Sequence, residues 1–126
     1  MSCETCAVID AEHPDALLLI GGSPDPYSEP YGELRRCPAC GAWFCTQRDH
    51  SNELFYEAAP PSVQRLTPDR ARALAVAALA AARALHDHFA PLAGDYEAHT
   101  TARYADELAR LEAALAELPP PSDAGT

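Results

Sequence analysis

Glu33-Leu34-Arg35-Arg36-Cys37-Pro38-Ala39-Cys40-Gly41-Ala42-Trp43-Phe44-Cys45-Thr46 reads as a strand, a knuckle and a second strand. Glu33–Arg36 and Ala42–Thr46 carry the strand pattern on either side of a Cys-x-x-Cys turn. Pro38 presets that turn, and Gly41 lets the backbone curl so that its amides can face the sulfurs. A second pair, Cys3 and Cys6, stands at the start of the chain. Two such pairs brought together supply four thiolates, the donor set of a closed tetrahedral metal site. The expected ligands are therefore Cys3, Cys6, Cys37 and Cys40 around one Zn2+ ion, with the residues between them folded as a small antiparallel sheet. Iron suits four thiolates equally well, so the spacing points to a metal more firmly than to its identity.

A rival ligand set lies entirely within the second knuckle. Cys37, Cys40, Cys45 and His50 have the spacing of a compact local site with its third and fourth ligand types exchanged. A strand leaving the knuckle rises ~3.3 Å per residue and carries Cys45 out of ligand reach. Cys45 is accordingly expected as a buried small apolar residue or a poorly reactive thiol. Trp43 and Phe44 must point to opposite faces of that strand, which predicts one ring in the core and the other exposed for contact.

Working outward, Ala16–Ile20 and Glu53–Glu57 complete the expected strands. Between the first two lies a proline- and glycine-rich stretch from Gly21 to Gly32, read as a surface loop whose Tyr27 and Tyr31 cover the sheet. Pro60-Pro61 ends the strand pattern, and Thr67-Pro68-Asp69 supplies an N-cap hydroxyl, a first-turn proline and a first-turn acid. A helix is expected from Pro68 to about Ala90, with Leu74, Ala78, Ala81, Leu85 and Phe89 as its apolar face and Val76 and Leu79 off it. Ala90-Pro91 and Gly94 stop it. A second helix begins after Asp95 as N-cap and runs to Leu118, its seam formed by Tyr104, Leu108, Leu111, Leu115 and Leu118. The short turn between them predicts an antiparallel hairpin. The expected fold is α+β: a ribbon-like sheet module over residues 1–58, a linker over 59–66, a helical hairpin over 67–118 and a disordered tail over 119–126.

Composition narrows the function. The chain has 126 residues and a formal charge of −10, with nine arginines as its basic residues. That excess of acid disfavours general binding to phosphate backbones, although Arg35 and Arg36 make a local basic spot. Arginine without lysine, with abundant alanine and proline, suggests a GC-rich bacterial genome. No apolar run approaches the ~20 residues of a membrane span, and the N-terminus has no signal-peptide pattern, so the cytosol is the expected compartment. In that reducing setting paired Cys-x-x-Cys motifs read as metal ligands rather than disulfides. The half that holds them is poor in large apolar residues and needs such a staple.

No catalytic constellation stands out. Four thiolates close the metal shell and leave no position for a reactive water. H-E-x-x-H, G-x-S-x-G and phosphate-loop patterns are missing, as is the H-x-E element that accompanies P-C-x-x-C in zinc deaminases. Thiol-redox chemistry at one Cys-x-x-Cys lacks the accompanying βαβ pattern. His86, His88 and His99 could meet at one end of the hairpin as a second metal site, but positions two apart on a helix face different ways, and histidines near a helix C-terminus also answer to its dipole. His13 reads as a loop residue.

Residues 1–58 resemble the zinc-ribbon class through Cys3-x-x-Cys6 and the Cys37-Pro38-Ala39-Cys40-Gly41 knuckle. Tyr31–Phe44 together with Arg65-Leu66-Thr67-Pro68 look like small bacterial zinc-ribbon proteins with a helical C-terminal part. The resemblance implies metal binding and no particular activity. Many zinc ribbons bind nucleic acid or the transcription and translation machinery, and this chain departs from those in its acidity. The favoured expectation is a zinc-stapled protein-interaction module that meets a protein partner or self-associates, with no small-molecule substrate. Two alternatives stand beside it: a transcription-associated or nucleic-acid-proximal accessory protein using Arg35, Arg36, Arg48, Trp43 and Phe44, and a thiol-redox or metal-handling protein.

Overall fold

A computed structural model of the chain describes residues 17–25, 29–48, 62–92 and 94–119. Four strands form one antiparallel sheet in the order β1-β2-β3-β4: β1 is Leu18–Ser23, β2 Gly32–Arg36, β3 Trp43–Gln47 and β4 Ser62–Leu66. Two helices follow, α1 over Pro68–Phe89 and α2 over Asp95–Glu117. The architecture is α+β, as the sequence predicts. The expected strand at Glu53–Glu57 and the tail beyond Pro119 lie outside the described residues.

The strands differ from expectation in two places. β1 continues through Gly21-Gly22-Ser23, residues expected in the loop, because Gly22 pairs with Glu33 and Ser23 with Gly32 after a bulge between Leu19 and Gly21. Ser62–Leu66, expected as linker, is the fourth strand, pairing in register from Trp43↔Leu66 to Gln47↔Ser62. Its apolar content is one residue per face: Leu66 is buried with Trp43 in the main core, and Val63 packs on the opposite side with Phe44. Tyr31 is partly exposed, and its hydroxyl donates to the Arg48 carbonyl at 2.8 Å.

Local chemistry explains the helix ends. Thr67 Oγ1 accepts from Arg70 N at 3.3 Å, satisfying one of the amides that the first turn of α1 leaves over. At α2 the N-cap is Gly94, and Asp95 instead opens the helix, where its carboxylate suits the N-terminal dipole. Arg72 of α1 closes the far end of the hairpin by donating to the carbonyls of Leu118 at 2.7 Å and Pro119 at 3.0 Å. The start of α1 thus meets the end of α2, so the two run antiparallel.

The core joins sheet and helices. Leu34, Trp43, Cys45 and Leu66 from one sheet face pack with Ala71, Ala75, Ala78, Ala82, Leu111, Ala114 and Leu118. This corrects part of the expected face of α1: its buried line is alanine and includes the expected Ala78, while Leu74 flanks the core and Leu85 is exposed; Val76, expected off the face, is exposed. Small side chains occupy the line of closest approach, and the leucines fill the gaps beside it. Leu79, expected off the face, packs against the core. The α2 seam is as expected, with Leu111 fully buried and Tyr104, Leu108 and Leu115 packed around it. Gly21 makes this docking feasible, since a Cβ there would fall 2.9 Å from Leu111 Cγ.

Candidate metal centre

The knuckle joins β2 to β3. Arg36 pairs with Trp43 across the two strands, and the chain between them turns through Cys37–Ala42. Cys37 N donates to Ala42 O at 2.8 Å, and Gly41 N donates to Cys37 O at 2.9 Å. Gly41 has φ +78°, a left-handed conformation that glycine adopts without the Cβ penalty, so the closing residue of the motif is chemically required. Cys37 is buried against Leu17 and Phe44, whereas Cys40 is exposed beside Gly41, Trp43 and Arg65.

Leu17 stands at the knuckle. It is buried against Cys37, and its carbonyl accepts from Arg35 Nη1 at 3.1 Å. Leu18 pairs with Arg36, the residue before the knuckle. The described chain therefore begins at the knuckle end of the sheet. Cys6 precedes Leu17 by 11 residues, and extended chain covers ~3.3 Å per residue, so reach is no obstacle to a shared site. Cys3 and Cys6 themselves lie outside the described residues, as do His13 and His50.

Cys45 stands elsewhere. It faces the helices with Leu34 and Trp43, while Cys37 belongs to the cluster on the opposite side of the sheet. Among the described residues no three His, Cys, Asp or Glu side chains gather as a metal group. Cys37, Cys40 and Cys45 therefore do not form a local centre. Burial raises the Cys45 thiol above its ordinary 9.0, outweighing the opposing pull of Arg70. The unfolded chain loses this proton first, so the contribution of Cys45 to stability is present below pH 9.0 and is lost as pH rises through the raised folded value. Urea midpoints of the wild-type protein should fall more steeply between about pH 8 and about pH 10 than those of Cys45→Ala. Parallel midpoints in the two proteins would contradict this.

The three histidines that could have met as a second metal site do not gather as one. His86 Nδ1 lies 3.1 Å from Asp87 Oδ1, His88 meets the Phe89 ring edge-on at 5.0 Å, and His99 is exposed on α2. The aromatic pair on β3 also departs from expectation. Trp43 and Phe44 occupy opposite faces, but both are buried, because a second small cluster of Leu17, Cys37, Ala42 and Val63 covers Phe44. Neither ring is presented for base stacking. Arg35 is held by Glu33 at 2.6 Å, and Glu33 also accepts from Thr46 Oγ1 at 2.8 Å.

Sequence reasoning missed the role of Arg36. Its Nε donates to Gly41 O at 3.2 Å, its guanidinium lies 4.4 Å from the centre of the Trp43 ring, and it pairs with Glu117 at the end of α2. The signal available beforehand was only an arginine preceding the knuckle with a tryptophan after it. Among the described residues no helix is long and apolar enough to cross a membrane. No family model, curated protein or solved structure matches this chain.

Proposed function

We propose that Cys3, Cys6, Cys37 and Cys40 hold one structural zinc ion, and that the stapled fold serves as a cytoplasmic protein-interaction module. The observation that supports the metal reading is the contact between Leu17 and Cys37, which sets the point where the described chain begins beside the second cysteine pair. Four thiolates would close the tetrahedral shell, so the ion contributes folding energy rather than a reactive water. Contact with a partner falls to the hairpin. Val76, Leu85, Leu92 and Tyr96 are exposed there, apolar surface suited to a protein partner or a second copy of the chain rather than to nucleic acid. The burial of Trp43 and Phe44 and the engagement of Arg35 and Arg36 weigh against the nucleic-acid alternative, to which exposed Arg48 still lends support.

Separate serine substitutions distinguish the ligand sets. Cys3→Ser should lower bound zinc per chain and Cys45→Ser should leave it unchanged, measured by elemental analysis of the purified protein. Zinc loss confined to the Cys45 variant would sink the four-cysteine assignment.

A further inference from the structure

We propose that Arg36 is a positioning residue for the metal ligands, and that it couples metal occupancy at the knuckle to the C-terminal end of the helical hairpin. The proposal rests on the zinc reading above. Arg36 is the last residue of β2 and directly precedes Cys37. Leu34, two residues earlier, is fully buried against the helices, so the Arg36 side chain leaves the sheet on that same side. There it meets three separate parts of the fold: the Gly41 carbonyl of the knuckle, the face of Trp43 at the start of β3, and the Glu117 carboxylate at the end of α2.

The first of these contacts depends on the state of the turn. The Gly41 carbonyl is aimed by the same backbone that carries the two sulfurs, with Gly41 N bonded to Cys37 O and Cys37 N to Ala42 O. A Cβ on Gly41 would stand 3.2 Å from Arg36 Nη2, so the guanidinium is seated directly against this backbone. A metal drawing Cys37 and Cys40 together fixes that carbonyl and hence the guanidinium. A planar, delocalised cation can serve a carbonyl, a ring face and a carboxylate together, which an ammonium does poorly. The three links differ in strength. Glu117 is 57% exposed and its ion pair is screened by water, whereas the carbonyl and ring contacts are the better protected ones. Groups that orient metal ligands from outside the coordination shell typically change metal affinity when removed, and the coupling must be reciprocal.

The test is a zinc titration of the full chain against a competing chromogenic chelator, read together with Trp43 fluorescence and amide exchange at the end of α2. Arg36→Ala should weaken zinc binding about tenfold and, in the zinc-loaded protein, shift Trp43 emission away from that of the zinc-loaded wild type. Arg36→Lys should fail to restore either. Glu117→Gln should retain nearly full zinc affinity yet show weaker amide protection in the last turn of α2 than the wild type when both are loaded with zinc. Equal zinc affinity and unchanged Trp43 emission in zinc-loaded Arg36→Ala overturn the coupling while leaving the metal assignment standing. Should Arg36→Ala not fold, unaltered protection of that turn in zinc-loaded Glu117→Gln overturns it. Wild-type protein that takes up no zinc overturns both the metal reading and this one.

Discussion

If Cys3, Cys6, Cys37 and Cys40 hold a structural zinc ion as proposed, stripping it will remove the β-sheet signal in circular dichroism and red-shift the emission of Trp43. A structural zinc site carries an apparent binding free energy of about 10–16 kcal/mol, which rivals the whole stability of ~5–15 kcal/mol of an ordinary domain. The architecture extends the damage beyond the knuckle. Trp43, Cys45 and Leu34 lie in the same core as the alanines of α1 and Leu111 of α2, so losing the sheet exposes the inner faces of both helices. Helices freed from tertiary packing are marginal in water. The helical signal should therefore fall as well, with partial recovery when zinc is returned under reducing conditions. Full retention of the sheet signal after verified metal removal would count against the staple.

Leu111→Ala should be among the most damaging single substitutions outside the cysteines. Leu111 has no exposed surface, and its side chain sits where Gly21 allows β1 to approach α2 most closely. Truncating a buried leucine typically costs about 2–5 kcal/mol, with the larger values where neighbours cannot collapse into the space. Glycine on one side and Ala75, Ala78 and Ala114 in the same core offer little side chain to move in. Urea unfolding should show a loss of stability near the upper part of that range, and Leu115→Ala, at a partly buried site, a smaller one. Equal small shifts in both variants would place the core elsewhere.

The helices were the most legible part of the sequence because their limits are set locally. Thr67-Pro68-Asp69 starts α1 and Pro91 follows its end, and each signal acts within a turn of the residue that carries it. The buried face of α1 was not legible in the same way. Periodicity weighs residues by hydrophobicity and so favours Leu85, whereas close packing selects the alanine line that fits beneath the sheet. β4 escaped notice because Ser62–Leu66 has one apolar side chain per face and follows Pro61. Its strand character comes from pairing with β3 rather than from its own composition. Phe44 was expected to be exposed if Trp43 was core, since the alternation of the strand reveals opposite faces but not that Leu17 and Val63 cover the second one.

For the candidate site, the cysteine spacing was visible in the sequence and the direction taken by Cys45 followed from strand geometry. The clamp at Arg36 was not, because it needs the register that sets Arg36 opposite Trp43 and the fold that returns Glu117 to the same corner. The Glu117 contact joins residues too distant in the chain to leave a trace in local pattern.

X-ray absorption at the zinc edge of the purified full-length protein tests the central claim most directly. The account predicts one zinc per chain in a shell of four sulfurs at about 2.3 Å, supplied by Cys3, Cys6, Cys37 and Cys40. A shell containing nitrogen or oxygen ligands, or a protein that holds no metal at all, would contradict it.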